Sequence, residues 1–166
     1  RSTLFPYTTL FRSNPLVCDD SVGLRVAERL KTLLADRPDV EVTEDHWGGL
    51  RLMERMIGYD RAIVVDAIQT GAAPGTIHLL SPDGISTQRS ASAHDVNLNT
   101  ALEFGRRAEA RLPENSRIRL VGIEAEDILN FGQTLTPAVE AAVPKAVEAV
   151  LNALEALDAL SKGEPS

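Results

Sequence analysis

The chain of 166 residues contains little cysteine and few aromatic residues: one Cys, one Trp, two Tyr and four Phe. The single thiol, Cys18, cannot form an intramolecular disulfide, and it has no Cys or His neighbour at the spacing of a zinc finger. Cysteine usage therefore gives no indication of redox chemistry and fits a reducing compartment.

Long apolar runs and basic clusters are also missing. No stretch approaches the ~20 apolar residues of a membrane-spanning helix, and the start of the chain lacks the basic, apolar and small-residue order of a signal peptide. Lys and Arg number 17 against 24 Asp and Glu, a net charge of −7 with no basic footprint for a phosphate backbone. We therefore expect a cytoplasmic protein with no nucleic-acid and no membrane partner.

The first thirteen residues differ from the rest of the chain, because they lack Ala, Gly, Val, Ile, Lys, Asp and Glu. Residues 3–13 resemble a sequencing-library adapter translated in frame, so we interpret residues 1–13 as a non-native scar and expect the true N-terminus to be missing. The alternative is a native strand, since Thr, Phe and Tyr favour strands. We expect residues 14–160 to form a single domain and residues 161–166 to be a polar tail.

The rest of the chain, at 43% hydrophobic and 25% charged overall, alternates helical and strand-like patterns. Apolar spacing predicts helices over residues 19–35, 50–57, 96–110 and 136–160, the last with Pro137 at its first position and a kink at Pro144. Apolar runs predict strands over residues 40–43, 62–65, 76–80 and 117–123. We therefore predict an α/β fold, a three-layer α/β/α domain with a twisted, mostly parallel sheet between helices.

No segment of the sequence clearly corresponds to the first strand of the expected sheet. A doubly wound sheet normally opens with a buried strand before its first helix, yet here the chain reaches Asn14 directly from the scar-like segment. Either residues 8–12 fill the strand position or the sheet lacks a strand. A missing interior strand would leave backbone groups unpaired, at about 1–3 kcal/mol each when buried.

Acidic and imidazole side chains fall where the carboxyl edge of the sheet is expected. Asp19 and Asp20 follow the first strand position, Asp66 ends the 62–65 strand, and His94 precedes the 96–110 helix. Two carboxylates and an imidazole from one edge form a plausible site for a divalent transition metal. The other readings are that Asp19 or Asp20 caps the first helix, that Asp66 bonds its own turn, and that His94 is an ordinary loop residue.

The remaining two histidines, His46 and His78, have no matching partners in the sequence. We predict that both are structural.

Four segments of the sequence form a pattern when they are taken together. They are Asn14-Pro-Leu-Val-Cys-Asp-Asp-Ser-Val-Gly23, Ile63-Val-Val-Asp-Ala67 with Pro74-Gly-Thr76, Ser92-Ala-His-Asp-Val-Asn-Leu98 and Leu135-Thr-Pro-Ala-Val-Glu140. This combination resembles the hydrogenase maturation proteases. The resemblance implies an endopeptidase that removes the C-terminal extension of a [NiFe] hydrogenase large-subunit precursor after nickel insertion. It also implies a twisted sheet between helices, in agreement with the fold read from the residue patterns.

The resemblance further implies which residues form the site. Asp20, Asp66 and His94 correspond to the metal ligands and form the catalytic cluster, with individual roles unassigned and with nickel supplied by, or shared with, the substrate. The loop 44–49 lies near the cleft and is implied in substrate binding through Glu44, Asp45, His46, Gly48 and Gly49. The sequence departs from the family at Ser13-Asn14, where a Gly-Asn turn is usual, and at Ser21, where Gly is usual.

Two alternatives use the same acidic residues. A non-catalytic, nickel-dependent chaperone of the precursor would need the same ligands, so sequence does not separate it from a protease. A phosphorylatable receiver domain would also place acids after two strands, but it needs a lysine near the end of its last strand. Here that strand ends in Gly122-Ile-Glu124, and the only lysines are Lys31, Lys145 and Lys162.

Overall fold

The computed structural model describes residues 7–12, 18–45, 48–84, 98–128, 130–132 and 134–162. These residues form a five-stranded sheet whose strands are β1 Tyr7–Arg12, β2 Val40–Asp45, β3 Arg61–Ile68, β4 Ile77–Leu80 and β5 Ile118–Glu124. The strand order is β2-β1-β3-β5-β4, with β4 antiparallel to β5 and the other neighbours parallel. The predicted, mostly parallel sheet is confirmed.

Four α-helices cover the sheet: α1 Val22–Leu33, α2 Gly49–Arg55, α3 Leu98–Arg107 and α4 Pro137–Lys162. Helices α1 and α4 pack together over one hydrophobic core, and α2 and α3 pack together over the other. Short 3₁₀ turns at Asp19–Ser21, Pro82–Gly84 and Asn115–Arg117 join these elements. The chain therefore has the predicted three-layer α/β/α architecture, and none of its described helices is long and apolar enough to cross a membrane.

Strand β3 is buried on both faces, as its continuous apolar run predicts. Ile63 and Val65 belong to the core beneath α1 and α4, whereas Ala62 and Val64 belong to the core beneath α2 and α3. This alternation follows from the two-residue period of a strand, which sends successive side chains to opposite faces.

The predicted end of this strand at Asp66 is wrong, because β3 continues to Ile68. Asp66 stands opposite Gly122 in the ladder with β5, and Ile68 stands opposite Glu124. Pairing with β5 extends the strand beyond the point where its apolar run stops.

Strand β1 fills the position that the sequence left open. Tyr7 pairs with both Val40 and Arg61, so the strand lies between β2 and β3 and the alternative of a missing strand is wrong. Leu10 and Phe11 are buried, but so is Thr9, whose hydroxyl has no hydrogen-bond partner within the described residues. That residues 1–13 are a scar stays a prediction, which sequencing the source DNA upstream of this segment tests.

Helix α4 begins at Pro137, the predicted first helical position, where the missing N–H costs nothing. Its first turn closes through the amide of Glu140 and the carbonyl of Thr136, 2.9 Å apart. The helix is continuous through Pro144, which is exposed, while the predicted apolar stripe is buried against the sheet: Val139, Val143, Val147, Val150, Leu154 and Leu157.

Candidate active site

The order of the strands creates a crevice between the carboxyl ends of β1 and β3. From β1 the chain passes to β2 on one side, and it then crosses to β3 on the other side. Loops leaving strands that diverge in this way separate, and ligands of open α/β sheets bind in the gap. The region around this gap is therefore the expected position of a binding or catalytic site.

Both predicted carboxylates lie at this crevice. Asp20 is in the 3₁₀ turn that leads into α1, and this turn contacts β3, while Asp66 is near the carboxyl end of β3 itself. Both side chains are partly buried. The alternation along β3 directs Asp66 toward the face covered by α2 and α3, because Val64 faces that core.

The third predicted ligand, His94, lies outside the described residues. Within the part of the chain that is described, no group of three or more His, Cys, Asp or Glu side chains could hold a metal ion. The assignment of Asp20, Asp66 and His94 as a metal-binding and catalytic cluster stays a prediction.

Asp19 has a different role from its neighbour, since its side chain is completely buried. One carboxylate oxygen accepts hydrogen bonds from the amides of Glu126 and Asp127, each at 2.9 Å, and from the Thr136 hydroxyl at 3.0 Å. The other oxygen accepts from the Thr136 amide at 2.8 Å. The suggestion that Asp19 caps the first helix is wrong: α1 has no side-chain cap, and Asp19 instead anchors the loop that leads into α4.

This loop rests directly on the turn that carries Asp20. The Cys18 amide donates to the carbonyl of Asn130 at 3.2 Å, and the Asp19 amide donates to the carbonyl of Asp127 at 3.0 Å. Together with the carboxylate of Asp19, these bonds fix the position of the turn at the crevice.

Glu124, at the end of β5, is the second buried carboxylate of this edge, with 2% of its surface exposed. Its Oε1 accepts from the amides of Thr70 and Gly71 at 2.7 and 2.8 Å, and its Oε2 accepts from the Thr70 hydroxyl at 2.8 Å. Oε2 also lies 3.1 Å from Nε2 of His78. Glu124 therefore holds the loop that follows β3, and it also gives His78 a partner that the sequence did not reveal.

The protonation state of Glu124 follows from these contacts. Burial alone would raise the pKa of the carboxyl, but hydrogen bonds from Thr70 and Gly71 and the proximity of His78 outweigh burial and lower the pKa below its ordinary value. Glu124 is therefore ionised at neutral pH. Its sequence signal, an acidic residue directly after an apolar run, is the same as that of Asp66.

A glycine in the same loop allows a close approach to α4. Gly75 has φ +79°, and a Cβ there would lie 2.6 Å from the carbonyl oxygen of Ala138. Its amide donates to the backbone carbonyl of Glu124 at 2.8 Å. A side chain at this position would force the loop away from the helix.

The predicted substrate-binding loop leaves the carboxyl end of β2, next to β1. Glu44 is in this strand and forms an ion pair with Lys31 at 2.6 Å, and Asp45 is the last residue of the strand. Gly48 precedes α2, and Gly49 begins it with φ +48°. His46 lies outside the described residues, and substrate contact by the five predicted residues stays a prediction.

Comparison with known proteins identifies the family. A sequence profile described as hydrogenase maturation protease matches residues 24–153. The chain belongs to the hydrogenase maturation protease family. It is 31% identical over 145 residues to the hydrogenase 2 maturation protease of Escherichia coli, a match that covers 85% of each chain.

Solved structures agree with this assignment. The hydrogenase-maturating endopeptidase HybD of Escherichia coli superposes with a TM-score of 0.73 at 29% identity, covering 90% of this chain and 92% of that one. The [NiFe] hydrogenase maturation protease HybD of Thermococcus kodakarensis gives a TM-score of 0.61 at 25% identity, covering 89% and 97%. The predicted enzyme class, an endopeptidase of hydrogenase maturation with a hydrogenase as its partner, is confirmed.

Proposed function

We propose that this endopeptidase removes the C-terminal extension of a [NiFe] hydrogenase large-subunit precursor after nickel has been inserted, and that it recognises the bound nickel. The observation that carries the proposal is the position of Asp20 and Asp66 on either side of the β1/β3 crevice. Carboxylates at this point can approach a cation carried by a docked protein.

Nickel belongs to the substrate in this proposal. Oxygen ligands from Asp20 and Asp66, with a nitrogen ligand from His94, would complete the coordination of a nickel ion that the precursor holds with its own side chains. A precursor without nickel would present no cation to these carboxylates and would bind more weakly. The scissile peptide bond would then lie close to the metal anchor.

Buried Asp19 and Glu124 support this role without taking part in it. Each accepts hydrogen bonds from backbone amides of a loop beside the crevice, so the loops are already in place before a substrate arrives. Such preorganisation reduces the ordering that substrate binding requires. The partly buried Asp20 and Asp66 are thus carried on fixed backbone.

The proposal is tested by substitutions of the three predicted ligands. Asp66→Asn and Asp20→Asn are expected to lower processing of a nickel-loaded precursor at least about 100-fold, because an amide cannot replace a charged ligand or proton acceptor. His94→Ala is expected to abolish processing while the protein stays folded. The matched control is Asp36→Asn, at an exposed carboxylate that follows the C-terminal end of α1, and this variant should process at the wild-type rate.

Circular dichroism and the midpoint of thermal unfolding are measured for all four variants, so that a loss of activity is not confused with a loss of fold. Wild-type processing by Asp66→Asn would contradict the proposed cluster. Nickel-dependent binding of the precursor without any cleavage by the wild type would instead favour the chaperone alternative.

A further inference from the structure

His78 lies in the same row of the sheet as Asp66. In the ladder, Asp66 of β3 stands opposite Gly122 of β5, and Gly122 stands opposite His78 of β4. Neighbouring strands are ~4.8 Å apart, so the Cα atoms of Asp66 and His78 are separated by about 10 Å, two strand spacings. Gly122, which stands between them, has no side chain of its own, and the side chain of Ile68 lies over it.

The two side chains also share a face of the sheet. Ile77 packs against the core beneath α1 and α4, so the next residue, His78, points to the opposite face. Val64 faces the core beneath α2 and α3, and Asp66, two residues later, points to that same face. The side chain of Ile68 covers Gly122, which gives the space between the acid and the imidazole an apolar floor.

The contact with Glu124 fixes the tautomer of His78. An ionised carboxylate only accepts hydrogen bonds, so Nε2, 3.1 Å from Glu124 Oε2, carries the ring proton. In the uncharged ring Nδ1 is then the acceptor, and it has no hydrogen-bond partner within the described residues. The side chain is 22% exposed, so this acceptor is not sealed in the core.

We propose that His78 is a further substrate-contacting residue of the site, whose Nδ1 accepts a hydrogen bond from a peptide N–H of the precursor, and that Glu124 is its positioning residue. This inference rests on the proposed function. A backbone amide is the ligand class that an imidazole acceptor held in one orientation recognises without regard to the side chains of the substrate.

Two substitutions of His78 distinguish the roles of its two ring nitrogens. In His78→Gln the amide nitrogen can occupy the place of Nε2 and keep the bond to Glu124, while the acceptor at Nδ1 is lost. In His78→Asn the side-chain oxygen can occupy the place of Nδ1, while the bond to Glu124 is lost. Loss of one hydrogen bond to substrate is expected to lower kcat/KM of His78→Gln about tenfold, mainly through KM, and His78→Asn should recover to within about threefold of wild type.

The positioning role of Glu124 is tested by combining changes. If Glu124 acts through His78, Glu124→Gln lowers kcat/KM by a smaller factor in the His78→Gln background than in the wild type, because only its effect on the loop after β3 is then left. A purely structural role would make the two losses multiply. The control is Leu79→Gln on the same strand, an exposed side chain that points to the other face and should leave kcat/KM unchanged.

A readout besides activity keeps the inference separate from the proposed function. In nitrogen-15 spectra of the His78 ring, addition of the nickel-loaded precursor is expected to shift the Nδ1 resonance, even if wild-type cleavage is absent. Wild-type kinetics in His78→Gln together with an unmoved Nδ1 resonance would overturn the proposal. Absence of cleavage by the wild type, with a shifted resonance, would overturn only the proposed endopeptidase reaction on this precursor.

Discussion

Buried or partly buried acidic side chains lie at both ends of the parallel strands, the carboxyl edge and the amino edge of the sheet. The groups that contact them differ between the two edges. At the carboxyl edge, Asp19 and Glu124 are buried and accept hydrogen bonds from backbone amides and from threonine hydroxyls. At the amino edge, Asp158 at the end of α4 is partly exposed and lies 3.4 Å from each of Arg37 and Arg61.

Tyr7 joins the groups of the amino edge. Its hydroxyl donates to Asp158 and accepts from Arg61, and the guanidinium of Arg61 stands 4.6 Å from the centre of its ring. Arg37 forms a two-point pair with Asp39, at 2.9 and 2.7 Å, which lowers the pKa of Asp39. Charges at this edge therefore neutralise one another and tie α4 to the sheet.

The difference indicates where function resides. Among the described residues neither Asp19 nor Glu124 forms an ion pair with Lys or Arg, and the loops beside Asp20 and Asp66 are shaped by backbone hydrogen bonds to Asp19 and Glu124. The backbone at this edge therefore positions the side chains of the crevice. The amino edge, with its cations already paired, contributes stability.

Removal of the Asp19 carboxylate is expected to have the largest effect on stability. Asp19→Ala leaves the amides of Glu126 and Asp127 and the Thr136 groups without the buried carboxylate that accepts their hydrogen bonds, so the free energy of unfolding should fall by about 3 kcal/mol. Urea unfolding measures this, with the exposed Asp36→Ala as the control, expected within about 0.5 kcal/mol of wild type. A loss for Asp19→Ala below about 1 kcal/mol would contradict a structural role of this acid.

Asp158→Ala is expected to have a smaller effect, a loss of about 1–2 kcal/mol, because Asp158 is partly exposed and its ion pairs are screened by solvent. Processing per folded molecule should be unchanged, since the residue lies at the opposite edge from the crevice. The exposed Glu155→Ala on the same helix serves as the control. Reduced processing by folded Asp158→Ala would contradict the assignment of function to the carboxyl edge and of stability to the amino edge.

Alkaline pH is expected to weaken the amino edge. Burial, and then the hydrogen bond to Asp158, raises the pKa of Tyr7 to about 12. The folded-state pKa of Tyr7 exceeds the unfolded value of 10.0. The stability that the protonated Tyr7 hydroxyl contributes is therefore fully present below pH 10 and is lost as pH rises toward 12. Tyr7→Phe should make the fall in unfolding free energy over this range shallower, and an identical pH slope in the two proteins would argue against the raised pKa.

The smallest expected effect on stability comes from the ion pair between Arg37 and Asp39. Arg37→Lys keeps the charge but loses the two-point contact with Asp39, so we expect a loss of about 0.5 kcal/mol in urea unfolding. Lys31→Arg, at another surface ion pair, is the comparison and should be neutral. A loss above about 1.5 kcal/mol for Arg37→Lys would mean that the amino edge depends on this pair far more than its exposure suggests.

Much of the fold could be predicted because apolar patterns are local. The run from Ala62 to Val65 indicated a strand buried on both faces, and the stripe along α4, with Pro137 at its start, indicated a helix packed on the sheet. The extension of β3 beyond Asp66 could not be read in this way, because it depends on pairing with β5.

The roles of the individual acidic residues at the carboxyl edge could not be predicted from the sequence. Asp19 and Asp20 are adjacent and chemically identical, yet Asp19 binds groups 107 to 117 residues further along the chain, while Asp20 lies at the crevice. Glu124 and His78 are likewise joined only by the antiparallel pairing of β4 with β5. Contacts of this kind arise from tertiary structure and have no local signature.

The central claim is nickel-dependent removal of a C-terminal peptide, and the intact mass of a hydrogenase large-subunit precursor after incubation with this protein tests it most directly. Nickel-loaded and nickel-free precursors are compared, and a second enzyme sample carries a family-type first strand in place of residues 1–13. We predict that the mass falls by one C-terminal peptide only when nickel is present. Equal cleavage of the nickel-free precursor, or an unchanged mass with both folded enzymes and the matched nickel-loaded precursor, would contradict the account.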